Sequence, residues 1–179
     1  MPTVPITNLV VKDNDLVVAT QGRSVWILDD LSPLRDAVPE KKAIHIHKVQ
    51  PVIDWRLHGE AVSIRVPRGS NPAAGSVVWI HLAEKPVEGK VEILNTQNVV
   101  IAKAVMTKEK DPAATAKDED DDDDAPPKRK VKLVKGLNKF VWDVTHDGSE
   151  VIPNAKVDSG NPGMFIPALP GTYTVTVSY

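Results

Sequence analysis

Thr172-Tyr173-Thr174-Val175-Thr176-Val177-Ser178-Tyr179 is the stretch that decides the fold class. Side chains of an extended backbone point alternately to opposite faces. Tyr173, Val175, Val177 and Tyr179 are therefore expected on one face and the hydroxyl residues on the other, as in a strand with a core on one side and water on the other. Pro170-Gly171, just ahead of it, is a strong turn signal.

The same reading extends upstream. Phe140, Trp142 and Val144 share a face by the period of two, within a strand expected over residues 137–144. Val77-Val78-Trp79-Ile80-His81-Leu82 is a run of the buried type, residues 90–94 alternate, and residues 99–102 follow. Asn95-Thr96-Gln97-Asn98 suits a hairpin turn between the last two, because Asn side chains bond their own backbone and tolerate positive φ. Residues 130–134 add another short strand, and Asn161-Pro162-Gly163 another turn.

The first part of the chain is also strand-like. Residues 6–12, 16–20 and 24–28 are β-type runs, separated by Asp13-Asn14-Asp15 and Gln21-Gly22-Arg23. Ser32 followed by Pro33 fits a helix cap and first helical position, giving one or two turns over residues 32–38 that Pro39 ends. Within residues 41–75, the runs 43–49 and 62–66 look extended but Pro51, Pro67 and Pro72 interrupt the pattern, which reads as a partly extended connector.

Composition sets the outer bounds. The 179 residues have room for one sandwich-type domain of roughly 100 residues plus attached strands. Fifteen prolines and abundant Val and Thr favour strands and turns. Without cysteine, disulfides, thiolate metal sites and thiol-protease chemistry are excluded. The opening Met-Pro-Thr-Val-Pro-Ile has no basic n-region or long apolar h-region, and no later run approaches the ~20 apolar residues of a membrane helix, so a soluble chain without its own export signal is expected. The net charge of −2 is segregated: Asp118 to Asp124 hold seven of the 24 acids, and without them the remainder would stand at +5. That composition, flanked by Pro126-Pro127, cannot bury enough apolar surface to order itself, so a solvated loop is expected at about residues 108–130.

Two segments carry a resemblance. LVVATQGRSVWILDDLSPLR, residues 16–35, resembles the stretch that closes the last blade in bacterial sortilin-like, BNR-repeat "glycosyl hydrolase" β-propeller proteins. GLNKFVWD, residues 136–143, and PGTYTV, residues 170–175, look like the marker strands of the carboxyl-terminal domain that follows the propeller in those proteins. The same order of strands is similar to immunoglobulin-like domains of flagellar hook-capping proteins and secretion-system substrates. The resemblance implies an all-β chain: an immunoglobulin-like (fibronectin III-like) β-sandwich over residues 76–179, preceded by a three-stranded propeller-blade remnant with its helical turn over 1–40 and the connector 41–75. It also implies an extracellular or periplasmic location. The Asp-box hairpins of the propeller are absent from the sequence, so an active site that full-length relatives hold is not expected here.

Candidate chemistry is sparse. His45 and His47 form an H-x-H pair whose imidazoles would share one strand face within reach of one metal ion, with no third ligand evident in sequence; the plain reading is an exposed strand face. The run Asp118 to Asp124 offers oxygen ligands to Ca²⁺ but lacks the turn glycines and spacing of an ordered site, so no cofactor is expected. Trp26, Trp79 and Trp142 lie in apolar runs and read as core, whereas Trp55, beside Asp54, Arg56 and His58, is the tryptophan in a polar context and a candidate ligand-binding platform. Asp29, Asp30, Asp143 and Asp147 read as turn or capping carboxylates, and no nucleophile elbow, P-loop or dinucleotide fingerprint occurs. Lys128, Arg129, Lys130, Lys132 and Lys135 read as neutralising the acidic loop rather than as a nucleic-acid site, since no aromatic residues interleave.

The expectation is accordingly a non-enzymatic structural or interaction module. A three-stranded piece cannot shield both its faces, so Leu16, Val18, Trp26 and Leu28 are expected to dock on a partner, either a protein carrying propeller blades or a second copy of the chain. The rival readings are a carbohydrate-binding accessory of a glycosidase, centred on Trp55, and a subunit of an extracellular fibre or multiprotein assembly that completes a neighbour's sheet.

Overall fold

The computed structural model describes residues 3–39, 42–54, 72–106, 129–148 and 165–179, and these form an all-β chain. Trp55, Arg56, His58, the 62–66 run, Asp118 to Asp124 and Asn161-Pro162-Gly163 lie outside the described residues, so the expectations attached to them are not addressed by the structure.

Strands β1 (Ile6–Lys12), β2 (Asp15–Thr20) and β3 (Val25–Leu28) form an antiparallel sheet in that order. A short helix, α1 (Ser32–Arg35), follows. It is shorter than the residue pattern suggests because Asp36 is already extended, at φ −96° and ψ 113°. Nor is Ser32 its cap: Leu31 holds that position, and the Ser32 hydroxyl accepts hydrogen bonds from Asn14 at 3.1 Å and Gln50 at 2.9 Å.

The core lies between two further sheets. One is antiparallel, in the order β4 (Ile44–Ile46), β5 (Ser76–Leu82), β9 (Gly136–Trp142). The other runs β12 (Thr174–Ser178), β6 (Lys90–Leu94), β7 (Val100–Met106), β8 (Arg129–Val131), and its β7–β8 pair is parallel. A parallel pair cannot be closed by a tight hairpin, and residues 107–128 separate these two strands in the sequence. Val78, Ile80, Leu82, Phe140 and Trp142 from the first sheet meet Val91, Ile93, Ala102, Ala104 and Val131 from the second in one buried cluster, to which Leu133, just past β8, also belongs. A two-stranded ladder, β10 (Thr145–His146) with β11 (Ile166–Pro167), completes the set. Residues 44–46, within the stretch read as a connector, are thus a strand of the same sheet as β5.

Local chemistry explains these elements. The β6–β7 hairpin closes through Asn95, whose Oδ1 accepts from the backbone N–H of Gln97 at 2.9 Å and of Val99 at 3.0 Å, while Asn98 takes φ +60°. Gly136, at φ +93°, opens β9, and two residues on the buried Asn138 amide donates to the carbonyls of Val134, Gly136 and Ile80 and accepts from the Val134 N–H. Gly75 admits no side chain: its φ is +116° and a Cβ there would sit 2.2 Å from the Trp142 carbonyl oxygen.

Three packing expectations are corrected. Residues 77–82 alternate instead of being buried throughout: Val78, Ile80 and Leu82 are buried in the core cluster, while Val77, Trp79 and His81, on the other face of β5, are half-buried. Trp142 is core, at 4% exposure, but Trp79 faces outward and Trp26 is 40% exposed. In the terminal strand Tyr173, Val175 and Val177 pack on the core as expected while Tyr179 is exposed, lying beyond the last residue of β12.

Candidate functional site: a polar seam and an uncovered sheet

Because residues directly opposite in a sheet point the same way, the β4–β5 register sets His45 beside His81 on the outer face. The His47 N–H donates to the Trp79 carbonyl at 2.9 Å, continuing that ladder. The segment through α1 lies over this face and is fixed from both ends. Asp30, at φ +60°, bonds Asn14 and the Ser32 N–H through Oδ1 and accepts from the Trp79 indole N–H through Oδ2 at 2.7 Å. Arg35 donates to the Asp13 carbonyl at 3.1 Å and to Asn14 Oδ1 at 2.8 Å. Lys139, paired with Trp79 across the sheet, places its ammonium 5.5 Å from the indole centroid.

At the far end of this seam Asp36 meets the two histidines. Its Oδ2 is 3.0 Å from His45 Nε2 and 3.3 Å from His47 Nδ1. The His45 and His47 rings stand edge to face with centroids 4.7 Å apart. His47 is 2% exposed, so the reading of an exposed strand face is corrected: the helix-exit segment covers it. Among the described residues neither ring nitrogen of His47 has a hydrogen-bond partner, Asp36 approaching as an ion-pair contact at 3.3 Å, and the buried Nδ1 of His81 is likewise unpartnered. Burial, reinforced by the neighbouring His45, pushes the His47 pKa down and keeps the imidazole neutral, against the opposing pull of Asp36. The His45 hydrogen bond holds the Asp36 carboxyl below its ordinary value, with the charges of both histidines assisting. One donor atom from each of Asp36, His45 and His47 lies within 4.8 Å of the other two.

A second polar knot closes the opposite end of the core. Arg129 donates to Asp143 at 3.1 Å and to Asp147, reaches the Thr145 carbonyl at 3.2 Å, and lies 4.1 Å from the Phe165 ring centroid. Asp147 also accepts the Lys103 N–H at 2.8 Å. Arg129 thus serves the β8–β10 junction, a role that the expectation of loop neutralisation missed.

The β1–β2–β3 sheet carries the other candidate surface. Register sets Leu9, Val18 and Trp26 in one row and Val11, Leu16 and Leu28 in the next, so the four expected docking residues share a face. Leu9, Val11, Trp26 and Leu28 are exposed; Leu16 is half-buried, and Val18, flanked by Leu9 and Trp26, is buried. The opposite face presents Val10, Val17 and Ile27 in register with Val25 beyond them, and Val10, Ile27 and Val25 are exposed too.

Of the sequence-level site residues, His45 and His47 come together and Trp26 and Leu28 share a face with Leu16 and Val18; the Trp55 group lies outside the described residues. Asp36 was missed, since it stands nine residues from His45, a spacing without a signal. Asp30, read as a turn or capping carboxylate, does accept the Ser32 N–H, but its bond to the Trp79 indole had no signal in the sequence. Comparison with family models, with curated proteins and with solved structures found no match to this chain.

Proposed function

We propose that the chain is a non-catalytic interaction module whose β1–β3 sheet docks between blade-type β-sheets of a propeller, with the two-sheet remainder acting as an immunoglobulin-like sandwich that braces it. The observation that carries this reading is the apolar character of both exposed faces of one small sheet. A sheet at the surface of a finished domain keeps one face wet and polar, while a propeller blade is flanked by other sheets on both faces. Leu9, Val11 and Leu28 on one side and Val10, Val25 and Ile27 on the other are aliphatic and 48–60% exposed, an arrangement that suits two flanking layers. The resemblance of residues 16–35 to a closing blade points to the same occupant, and export of such proteins would place the module outside the cytoplasm.

Hydrogen exchange on the intact chain tests the proposal. Without flanking sheets, three short strands are marginal in water, so amides of residues 6–28 are expected to exchange far faster than those of β5 and β6. A chain that stays monomeric at high micromolar concentration with the two sets equally protected would overturn the docking reading. Self-association through these strands, abolished by Leu9→Lys with Ile27→Lys, would reassign the occupant to a second copy.

A further inference from the structure

We infer that Asp36, His45 and His47 form a binding site for one divalent transition-metal ion of the zinc class, which clips the helix-exit segment onto strand β4. The donor set is two imidazoles and one carboxylate. Around a zinc ion with ligands at ~2.0–2.1 Å, tetrahedrally placed donor atoms stand about 3.3 Å apart. Asp36 Oδ2 lies 3.0 Å from His45 Nε2 and 3.3 Å from His47 Nδ1, so two of the three separations already match.

The second, independent observation is His47 itself. It is almost wholly buried, yet neither of its nitrogens has a hydrogen-bond partner. Leaving a buried polar group unsatisfied destabilises the fold, and a metal–nitrogen bond removes that cost where no described protein group does. Its Nδ1 stands 3.3 Å from the Asp36 carboxylate, close enough for the two to share an ion.

The donor chemistry selects the metal. Ca²⁺ and Mg²⁺ take six or more oxygen ligands, and two of these three donors are imidazole nitrogens. Nitrogen-rich tetrahedral sites suit zinc, with Co²⁺ as a spectroscopic stand-in. With three protein ligands, the fourth position falls to water on the side where the Asp36 side chain is 38% exposed. The consequence is mechanical. Asp36 directly follows α1, so the ion ties the β1–β3 sheet and its helix to the β4 edge of the core, adding a bond of fixed geometry to the seam that otherwise rests on Asp30 and Gln50.

The test uses the full chain stripped with a chelator and titrated with ZnCl₂ at neutral pH, read by calorimetry and thermal unfolding, with CoCl₂ in a parallel optical titration. One equivalent of zinc is expected to bind, to raise the unfolding midpoint by about 5 °C at a hundredfold excess over Kd, and to leave MgCl₂ and CaCl₂ without effect. Cobalt should give visible d–d bands of a four- or five-coordinate ion. Asp36→Asn and His45→Gln, both at positions less enclosed than His47 and checked for an unchanged circular dichroism spectrum, are each expected to weaken zinc at least tenfold and to abolish the cobalt bands. Zinc binding of equal strength in the two variants would overturn the site by assigning the ion elsewhere, for example to the acidic run, and so would the absence of any binding to the intact chain.

Discussion

The side chains that matter most here are polar groups that the fold has enclosed. Asn138 spends its amide on the carbonyls of Val134, Gly136 and Ile80 and its oxygen on the Val134 N–H, so Asn138→Ala strips partners from several backbone groups at once. A loss of about 2–3 kcal/mol is expected, measured as a lower urea midpoint at unchanged slope. His47 gives a pH dependence with a definite sign. Its folded pKa lies below the 6.5 of an unfolded histidine, so on acidification the unfolded chain binds the proton first. Stability of the chelator-stripped protein is therefore present above about pH 6.5 and is lost as pH falls below it; the lowered Asp36 pKa extends the loss further, through the carboxylate range below 3.8. Thermal midpoints between pH 8 and pH 5 check this: a decline is expected in the intact chain and a shallower one in His47→Gln.

At the scale of elements, β9 shows how far alternation reaches. Phe140 and Trp142 are buried as the period of two requires, and Val144 touches the core, but through a backbone at φ +57° that ends the strand at Trp142. That conformation is costly for a β-branched residue. It is held on both sides: the Trp142 indole N–H donates to the Thr145 carbonyl at 2.8 Å, and the Val144 carbonyl accepts the Ala168 N–H at 2.8 Å. Trp142→Ala should cost about 3–5 kcal/mol, since it removes a buried ring together with its edge contact to Tyr173, and a near-wild-type denaturation curve would refute the packing described. The β8–β10 junction depends on Arg129 in a way lysine cannot copy, because a guanidinium reaches Asp143, Asp147 and the Thr145 carbonyl together. Arg129→Ala is expected to lose about 2 kcal/mol and Arg129→Lys to recover less than half of it, again by urea titration.

At the scale of the molecule, a two-sheet core of aliphatic residues is joined through a polar seam to a sheet with two apolar faces. The seam ties the sheet to the core without covering it, which is why so many large apolar side chains remain exposed in β1 and β3. Replacing Leu9 and Ile27 together by lysine, one on each face, should leave the core's unfolding midpoint within about 2 °C of wild type, because neither side chain is buried. It should sharply reduce binding of hydrophobic dyes, measured by fluorescence; a collapse of the core transition would show that the sheet and core fold as one unit.

The strands were legible in the residues because alternation is a local property: β1, β6 and β12 can be located within a residue or two from side chains a few positions apart. Turn chemistry at Asn95 and Asn98 was legible for the same reason. What only the tertiary structure decided depends on contacts between distant residues. The parallel β7–β8 pairing, the outward turn of Trp79, and the meeting of Asp36 with His45 and His47 each follow from which layer covers which face. A strand's own sequence shows that two faces differ; it does not show what lies against them, because burial is set by segments whose approach leaves no periodic mark in either partner.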